Sequence, residues 1–219
     1  MDEQLNDIEV RVLSVLIEKE KTTPEYYPLT LNALTRACNQ KSNRNPVVSF
    51  DETTVVRTLD KLTFERDLVK RVMSDDSRVA KYRHDFRESL GLDEREMAVL
   101  CILMLRGPQT VGEIRGRTER LFPFESLGEV EDTLSGLSAR ETGTLATKLP
   151  RQPGRKEARF AHLLAGEVEV DEVEFLEPAV VEVLAENERM DRLENEMGQM
   201  KEQLEQLKTQ FKEFRNQFE

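Results

Sequence analysis

Tryptophan is absent from this chain of 219 residues, and cysteine and histidine occur only twice each, as Cys38, Cys101, His84 and His162. Residues scattered one at a time cannot supply the close ligand pairs of a structural zinc site, and no Cys and His stand at a spacing that would couple a nucleophile to a base. Both thiols fall inside helical patterns and are expected in the core, while the two histidines, at matching strand positions, are expected to pack or to hydrogen-bond. A glycine-rich phosphate loop, a His-Glu-x-x-His helix and a paired set of acidic residues are all missing, so neither an enzyme nor a cofactor or metal is expected. No apolar run approaches the ~20 residues that span a bilayer, and the acidic start Met1-Asp2-Glu3-Gln4 is unlike a signal peptide. A cytoplasmic protein with no membrane contact is expected.

What is present is a repeat. Leu5-Asn6-x-x-Glu9-x-x-Val12-Leu13 returns as Leu92-Asp93-x-x-Glu96-x-x-Val99-Leu100, an offset of 87, and Tyr82-x-His84 returns as Phe160-x-His162. The repeat divides the chain into 1–88, 89–166 and a remainder, 167–219. Net charge is −11, but it is unevenly placed. Residues 1–90 carry 15 Lys/Arg against 16 Asp/Glu, residues 91–165 carry 11 against 11, and residues 166–219 carry 6 against 16. The acidity belongs to the C-terminal part, and the two copies are free to present local basic faces.

In the first copy Ile8, Val12, Leu13, Val15, Leu16 and Ile17 form a broad apolar stripe, the mark of a helix over 7–20. A second helix is expected over 30–39 with Thr30 as N-cap. A third is expected from Ser49-Phe50-Asp51-Glu52, where Ser49 and Glu52 have capping-box spacing and Val55, Leu59 and Leu62 point inward. Strand-like runs at 68–73 and 79–84 then make a hairpin. The second copy repeats the order, with its hairpin at 145–149 and 158–163 around a Pro153-Gly154 turn. The fold class expected is mainly α with small β-hairpins, α+β, in two tandem winged-helix domains, a fold whose third helix enters the major groove while the wing grips the backbone.

Beyond an acidic linker, Met190, Leu193, Met197, Met200, Leu204, Leu207, Phe211, Phe214 and Phe218 recur at alternating spacings of 3 and 4, the seam of a coiled coil. Arg189 and Glu196 would face Glu194 and Lys201 of a parallel partner, which favours a homodimer through this helix; the alternative is a helix folded back on its own domain.

Candidate DNA contacts are the cations and small polar groups around the third helix and the wings. They are Lys41, Asn43 and Arg44 in the loop before it, Thr53, Arg57 and Lys61 on its outer side, Arg78, Lys81 and Arg83 in the first wing, and Arg151, Arg155 and Lys156 in the second. Outward positions of the second copy's third helix include Glu129, Glu131, Asp132 and Ser135, which phosphates would reject. That copy would touch DNA through its wing or through Arg115, Arg117 and Arg120, or it serves as a docking surface for protein. The function expected is DNA binding, as in a transcriptional regulator; the alternative is an interaction module or scaffold whose winged helices dock proteins and leave DNA alone.

Long strings of the chain resemble the bacterial YceH family: Thr22-Thr23-Pro24-Glu25-Tyr26-Tyr27-Pro28-Leu29, Ala37-Cys38-Asn39-Gln40-Lys41-Ser42-Asn43-Arg44-Asn45-Pro46-Val47, Leu105-Arg106-Gly107-Pro108-Gln109-Thr110, and Pro153-Gly154-Arg155-Lys156-Glu157-Ala158-Arg159-Phe160-Ala161-His162-Leu163. The match runs in order over about residues 5 to 166. The resemblance implies tandem winged helices in a bacterial cytoplasmic protein, and it brings no catalytic or ligand residues.

Overall fold

Each copy begins by capping its first helix in the same way. In a computed structural model that describes residues 4–74, 77–151 and 157–166, with 74, 77 and 78 as backbone only, helix α1 (Asp7–Thr22) starts at Asn6. The Asn6 side chain accepts the amides of Ile8 and Glu9 at 3.0 and 2.9 Å, and the Glu9 carboxylate accepts the Asn6 amide at 2.8 Å. Helix α5 (Glu94–Arg106) repeats this capping box with Asp93 and Glu96, at 2.8 and 2.9 Å. The repeated glutamate has a second task. Glu9, 1% exposed, lies 3.5 Å from the Arg66 guanidinium, which donates to Gln4 O at 2.9 Å. Glu96 likewise lies 3.1 Å from Arg140, which donates to Leu90 O at 2.5 Å. In both copies an arginine after the third helix therefore ties it to the start of the first.

Between these ends the topology follows the expected order. Helix α2 (Leu31–Cys38) is capped by Thr30, and helix α3 (Glu52–Asp60) continues into one wide turn at Lys61–Glu65. The N-cap of α3 is Asp51, which accepts the Thr54 amide at 2.7 Å, and not Ser49. The reason is tertiary: the Asn39 side chain donates to Phe50 O and accepts from Phe50 N, both at 2.8 Å, which holds Phe50 extended and delays the helix. Strand β1 (Leu29–Thr30) lies antiparallel to β3 (Ser77–His84), which pairs on its other side with β2 (Val69–Ser74), giving the sheet order β1-β3-β2. A short helix α4 (Phe86–Leu90) closes the copy.

The second copy has α6 (Val111–Thr118), capped by Thr110 and Glu113, and α7 (Leu127–Ser138), capped by Ser126. Its hairpin is β4 (Ala146–Lys148) and β5 (Phe160–His162). Here β1 shrinks to one bridge: Gln109 pairs with Phe160 as Leu29 pairs with Tyr82. Described residues thus form an α+β fold in which the second copy reproduces the first with shorter strands.

The copies meet through α1 and α5. Lys21, at the end of α1, pairs with Glu94, at the start of α5, at 2.8 Å, so the helices run antiparallel. At their middles the Cys101 thiol lies 3.5 Å from Ser14 O, two positions separated by the repeat offset of 87. Equivalent residues in contact place a pseudo-two-fold axis between them. Both helices are enclosed nearly all round, with residues 9–17 and 97–105 buried; α5 is apolar throughout that stretch, and α1 carries Glu9, Arg11 and Ser14 within it. The Leu5 amide also donates to Leu164 O at 2.8 Å, so the entry of the first copy is held by the exit of the second. Both copies lie within one compact unit. The heptad positions Met190, Leu193, Met197, Met200, Leu204, Leu207, Phe211 and Phe214 lie outside the described residues.

Replacing Glu9 by Ala removes a cap and leaves Arg66 without its buried carboxylate, an expected loss of about 3 kcal/mol. The same change at Glu96, whose pair is more open, is expected to cost about half that. Urea unfolding of the two variants measures both; equal losses would show that burial does not set the difference.

Candidate nucleic-acid interface

The outer side of α3 is an exposed cationic feature of the first copy. Thr53, Arg57 and Lys61 recur every four residues, which places them in one stripe, and all three are exposed. No ion pair engages Arg57 or Lys61 among the described residues. Asp60 stands beside the stripe, and Phe64, 78% exposed, follows in the wide turn that ends the helix. The inward positions Val55, Leu59 and Leu62 are fully buried and fix the helix against the core.

The loop before α3 has a different role from the one expected. Arg44 is 6% exposed, and its guanidinium donates to the Glu18 carboxylate at 3.1 and 2.6 Å, to Ala37 O at 3.3 Å and to Gln40 Oε1 at 3.0 Å. Buried in this way, with both terminal nitrogens engaged and only Nε left without a partner inside the fold, the arginine is not open to a phosphate at the surface, which corrects its assignment as a DNA contact. Asn43 adopts a left-handed φ of 61°, a conformation asparagine tolerates, and its side-chain oxygen accepts from Arg106. Next to it the Asn45 amide donates to Leu105 O at 2.9 Å, and Arg11 donates to Pro46 O at 2.6 Å. The loop is a clasp that takes up terminal carbonyls of α5 and joins the two copies. Only Lys41 in it is an exposed cation without an ion pair among the described residues.

In the first hairpin Lys81 and Arg83 share one face with Lys70, while a register shift between β2 and β3 separates them from position 78. The side chain of Arg78 lies outside the described residues. Arg83 is 3.2 Å from Asp85, and Lys70 is paired with both Asp67 and Asp85. Local acids thus neutralise much of this face. Arg71, on the opposite face, is exposed and is not among the expected contacts.

The second copy differs. Glu131, Asp132 and Ser135 are exposed on α7, and Glu129 is half-buried. Arg115 donates to the carbonyls of Phe124 and Glu125, and Arg117 and Arg159 both pair with Glu113, at 3.5 and 3.2 Å, so these cations serve the fold. Arg151 is exposed, while Arg155 and Lys156 lie outside the described residues. Cys38 and Cys101 are free and buried; burial pushes the Cys38 thiol up to about 12, which makes it a poor nucleophile. The paired histidines have unlike surroundings. His84 places Nε2 3.2 Å from the Glu20 carboxylate and its backbone amide 2.8 Å from the Tyr27 hydroxyl, whereas burial lowers His162 to about 4. Among the described residues no group of three or more His, Cys, Asp or Glu side chains is placed to hold a metal, and no helix is long and apolar enough to cross a membrane.

Burial works to raise the Glu18 carboxyl, but the hydrogen bonds and charge of Arg44, with Lys19 beside it, outweigh burial and hold it below its ordinary value of 4.5. A carboxyl depressed in the folded state contributes stability at neutral pH that is lost as pH falls below about 4.5. Glu18→Gln is therefore expected to flatten the stability profile in that acid range. Arg44→Met is expected to cost about 3 kcal/mol at pH 7, by leaving Glu18 partly buried without its partner. Chemical denaturation across pH checks both.

Comparison with known proteins places this framework. Residues 5–155 match the model of a family described as "Protein of unknown function, DUF480". The chain is 57% identical over 200 residues to a UPF0502 protein of Geotalea uraniireducens, with 90% of each chain covered. It is 53% identical over 203 residues to one of Geobacter sulfurreducens, with 91% of each covered, and 53% identical over 201 residues to one of Solibacter usitatus, with 91% of this chain and 94% of the relative covered. Matches of that length and identity, spanning both copies, mean that the chain belongs to the DUF480 (UPF0502) family of bacterial proteins, the YceH family that its motifs resemble.

Proposed function

We propose that this protein binds duplex DNA through its first copy, read as a winged helix. Three helices followed by a hairpin, with a short strand pairing to the hairpin's far edge, is the arrangement in which a third helix enters the major groove. The observation that carries the reading is the outer side of α3, where Thr53, Arg57 and Lys61 are exposed together while Arg44, Arg66, Lys70 and Arg83 are engaged by acids of the fold. Lys41 lies in the loop that leads to the helix, and Lys81 extends the basic surface onto the wing. Fold alone does not give function, so the weight rests on this side-chain pattern.

In this reading the second copy, also a winged helix, contributes through Arg151 and the basic tip of its hairpin, and its α7 stays away from phosphate. Parallel pairing of the heptad from Met190 to Phe214 makes a homodimer and presents two copies of α3, as suits a cytoplasmic transcriptional regulator that binds and does not catalyse. One observation favours the other reading, in which both winged helices dock proteins: the exposed acids Glu131 and Asp132 occupy the position on α7 that a DNA reader would keep neutral or basic.

Fluorescence anisotropy on random-sequence duplex DNA between about 50 and 200 mM salt tests the proposal. Micromolar binding that falls steeply with salt is expected, and R57E/K61E should weaken it at least tenfold without changing the melting temperature. Absence of binding at the lowest salt would favour the docking reading. Removal of residues 178–219 should halve the mass by light scattering; an unchanged mass would remove the coiled-coil dimer.

A further inference from the structure

Two exposed surfaces remain unexplained by DNA contact, and they match each other. One is Phe64. An aromatic ring 78% exposed at the end of the stripe formed by Arg57 and Lys61 has no phosphate to meet. The other is a groove of about 770 Å³ in the second copy, open between α7 and the hairpin. Its apolar lining includes Val111, Leu127 and Phe160, and Leu127 is 49% exposed. Its charged lining includes Glu131 and Glu157, for neither of which an ion pair is found among the described residues, and Lys148, which lies over the Phe160 ring at 5.9 Å from its centroid. Asp132 adds a further exposed acid on the same helix.

We propose that this groove receives the α3 face of a second copy of the same chain. The occupant is identified by complementarity. The groove needs a segment with one large apolar side chain and cations one and two turns before it, and the stripe of Arg57, Lys61 and Phe64 has that order. Phe64 enters against Leu127 and Phe160, and Arg57 and Lys61 face Glu131 and Glu157. The groove has room for several side chains, so a ring and two cationic stems fit without displacing the core that Val130, Leu134 and Leu137 form beneath it. The contact joins unlike surfaces, first copy to second, and so is heterologous: it closes into a ring or extends head to tail, and it differs from a parallel coiled coil. It covers the same cations that DNA would use, so self-contact and DNA exclude each other. The self-contact stands without the DNA reading, since it rests only on the two surfaces.

Sedimentation velocity of the full chain at low salt, over a hundredfold range of concentration, tests it with charge reversals. Wild type is expected to show a sedimentation coefficient that rises with concentration and falls back at high salt. E131K/E157K should abolish the rise, R57E/K61E should abolish it too, and an equimolar mixture of the two variants should restore it, because reversed charges then face one another across the contact. All four positions are exposed, so both variants should keep the wild-type melting temperature. F64S should abolish the rise without altering charge. The mass set by the C-terminal heptad is common to all these chains and cancels in the comparison. A wild-type coefficient independent of concentration, or a rise that E131K/E157K leaves intact, overturns the proposal. DNA anisotropy of E131K/E157K separates the two readings: binding at least as tight as wild type is expected, and loss of the sedimentation rise with no DNA binding by either chain would leave the self-contact standing and remove the DNA reading.

Discussion

The antiparallel contact of α1 with α5 is the constraint on which the rest of the structure depends. Because Ser14 meets its own counterpart Cys101, the two copies face each other across a local two-fold axis, and what one does at an end of the pair the other does at the opposite end. The clasp at Asn45 caps the end of α5, and Leu121 of the second copy lies by the end of α1 with Ile17, Glu20 and Lys21. Such an axis is ordinarily found between subunits. Here it lies within one chain, so the two halves need not remain identical.

Apart from the shorter strands of the second copy, their divergence is clearest on the outside. Capping boxes and the Glu-Arg ties are the same in both copies, as are the hydrogen bonds that join the third helix to the hairpin: Leu68 to Leu62 in the first copy and Leu145 to Leu137 in the second. The outward faces of α3 and α7 differ in sign of charge. A substitution on these faces changes little burial and little stability, so the frame leaves them free to vary while it holds the inward residues to one pattern.

Much of the frame was legible in the sequence because it is written in local signals. Helix periodicity, the Leu5–Leu13 pattern that returns at Leu92–Leu100 and the cap at Thr30 each act within a few residues. What escaped depends on distance. Ser49 has the correct spacing for a cap, yet Asn39, on the preceding helix, decides where α3 starts. Arg44 reads as a loop cation, yet its partner Glu18 is 26 positions away on α1. The two-residue strand β1 has no period to detect, and its existence depends on β3 being there to pair with it. Position 78 is set apart from 81 and 83 by a register shift between β2 and β3, which alternation along one strand does not reveal. The candidate site was therefore legible where it sits on a helix face, as for Thr53, Arg57 and Lys61, and illegible where polar loop residues could face either way.

The hydrogen bond from Leu5 to Leu164 has a topological consequence. It brings residue 4 beside residue 166, close enough that a side chain at Gly166 would collide with Gln4. The described chain is thus nearly a closed loop, and its order along the loop matters less than its order in space. Joined there and reopened at the exposed turn of Glu141–Thr144, a circularly permuted form of residues 4–166 would keep both capping boxes, the clasp and the central helix pair.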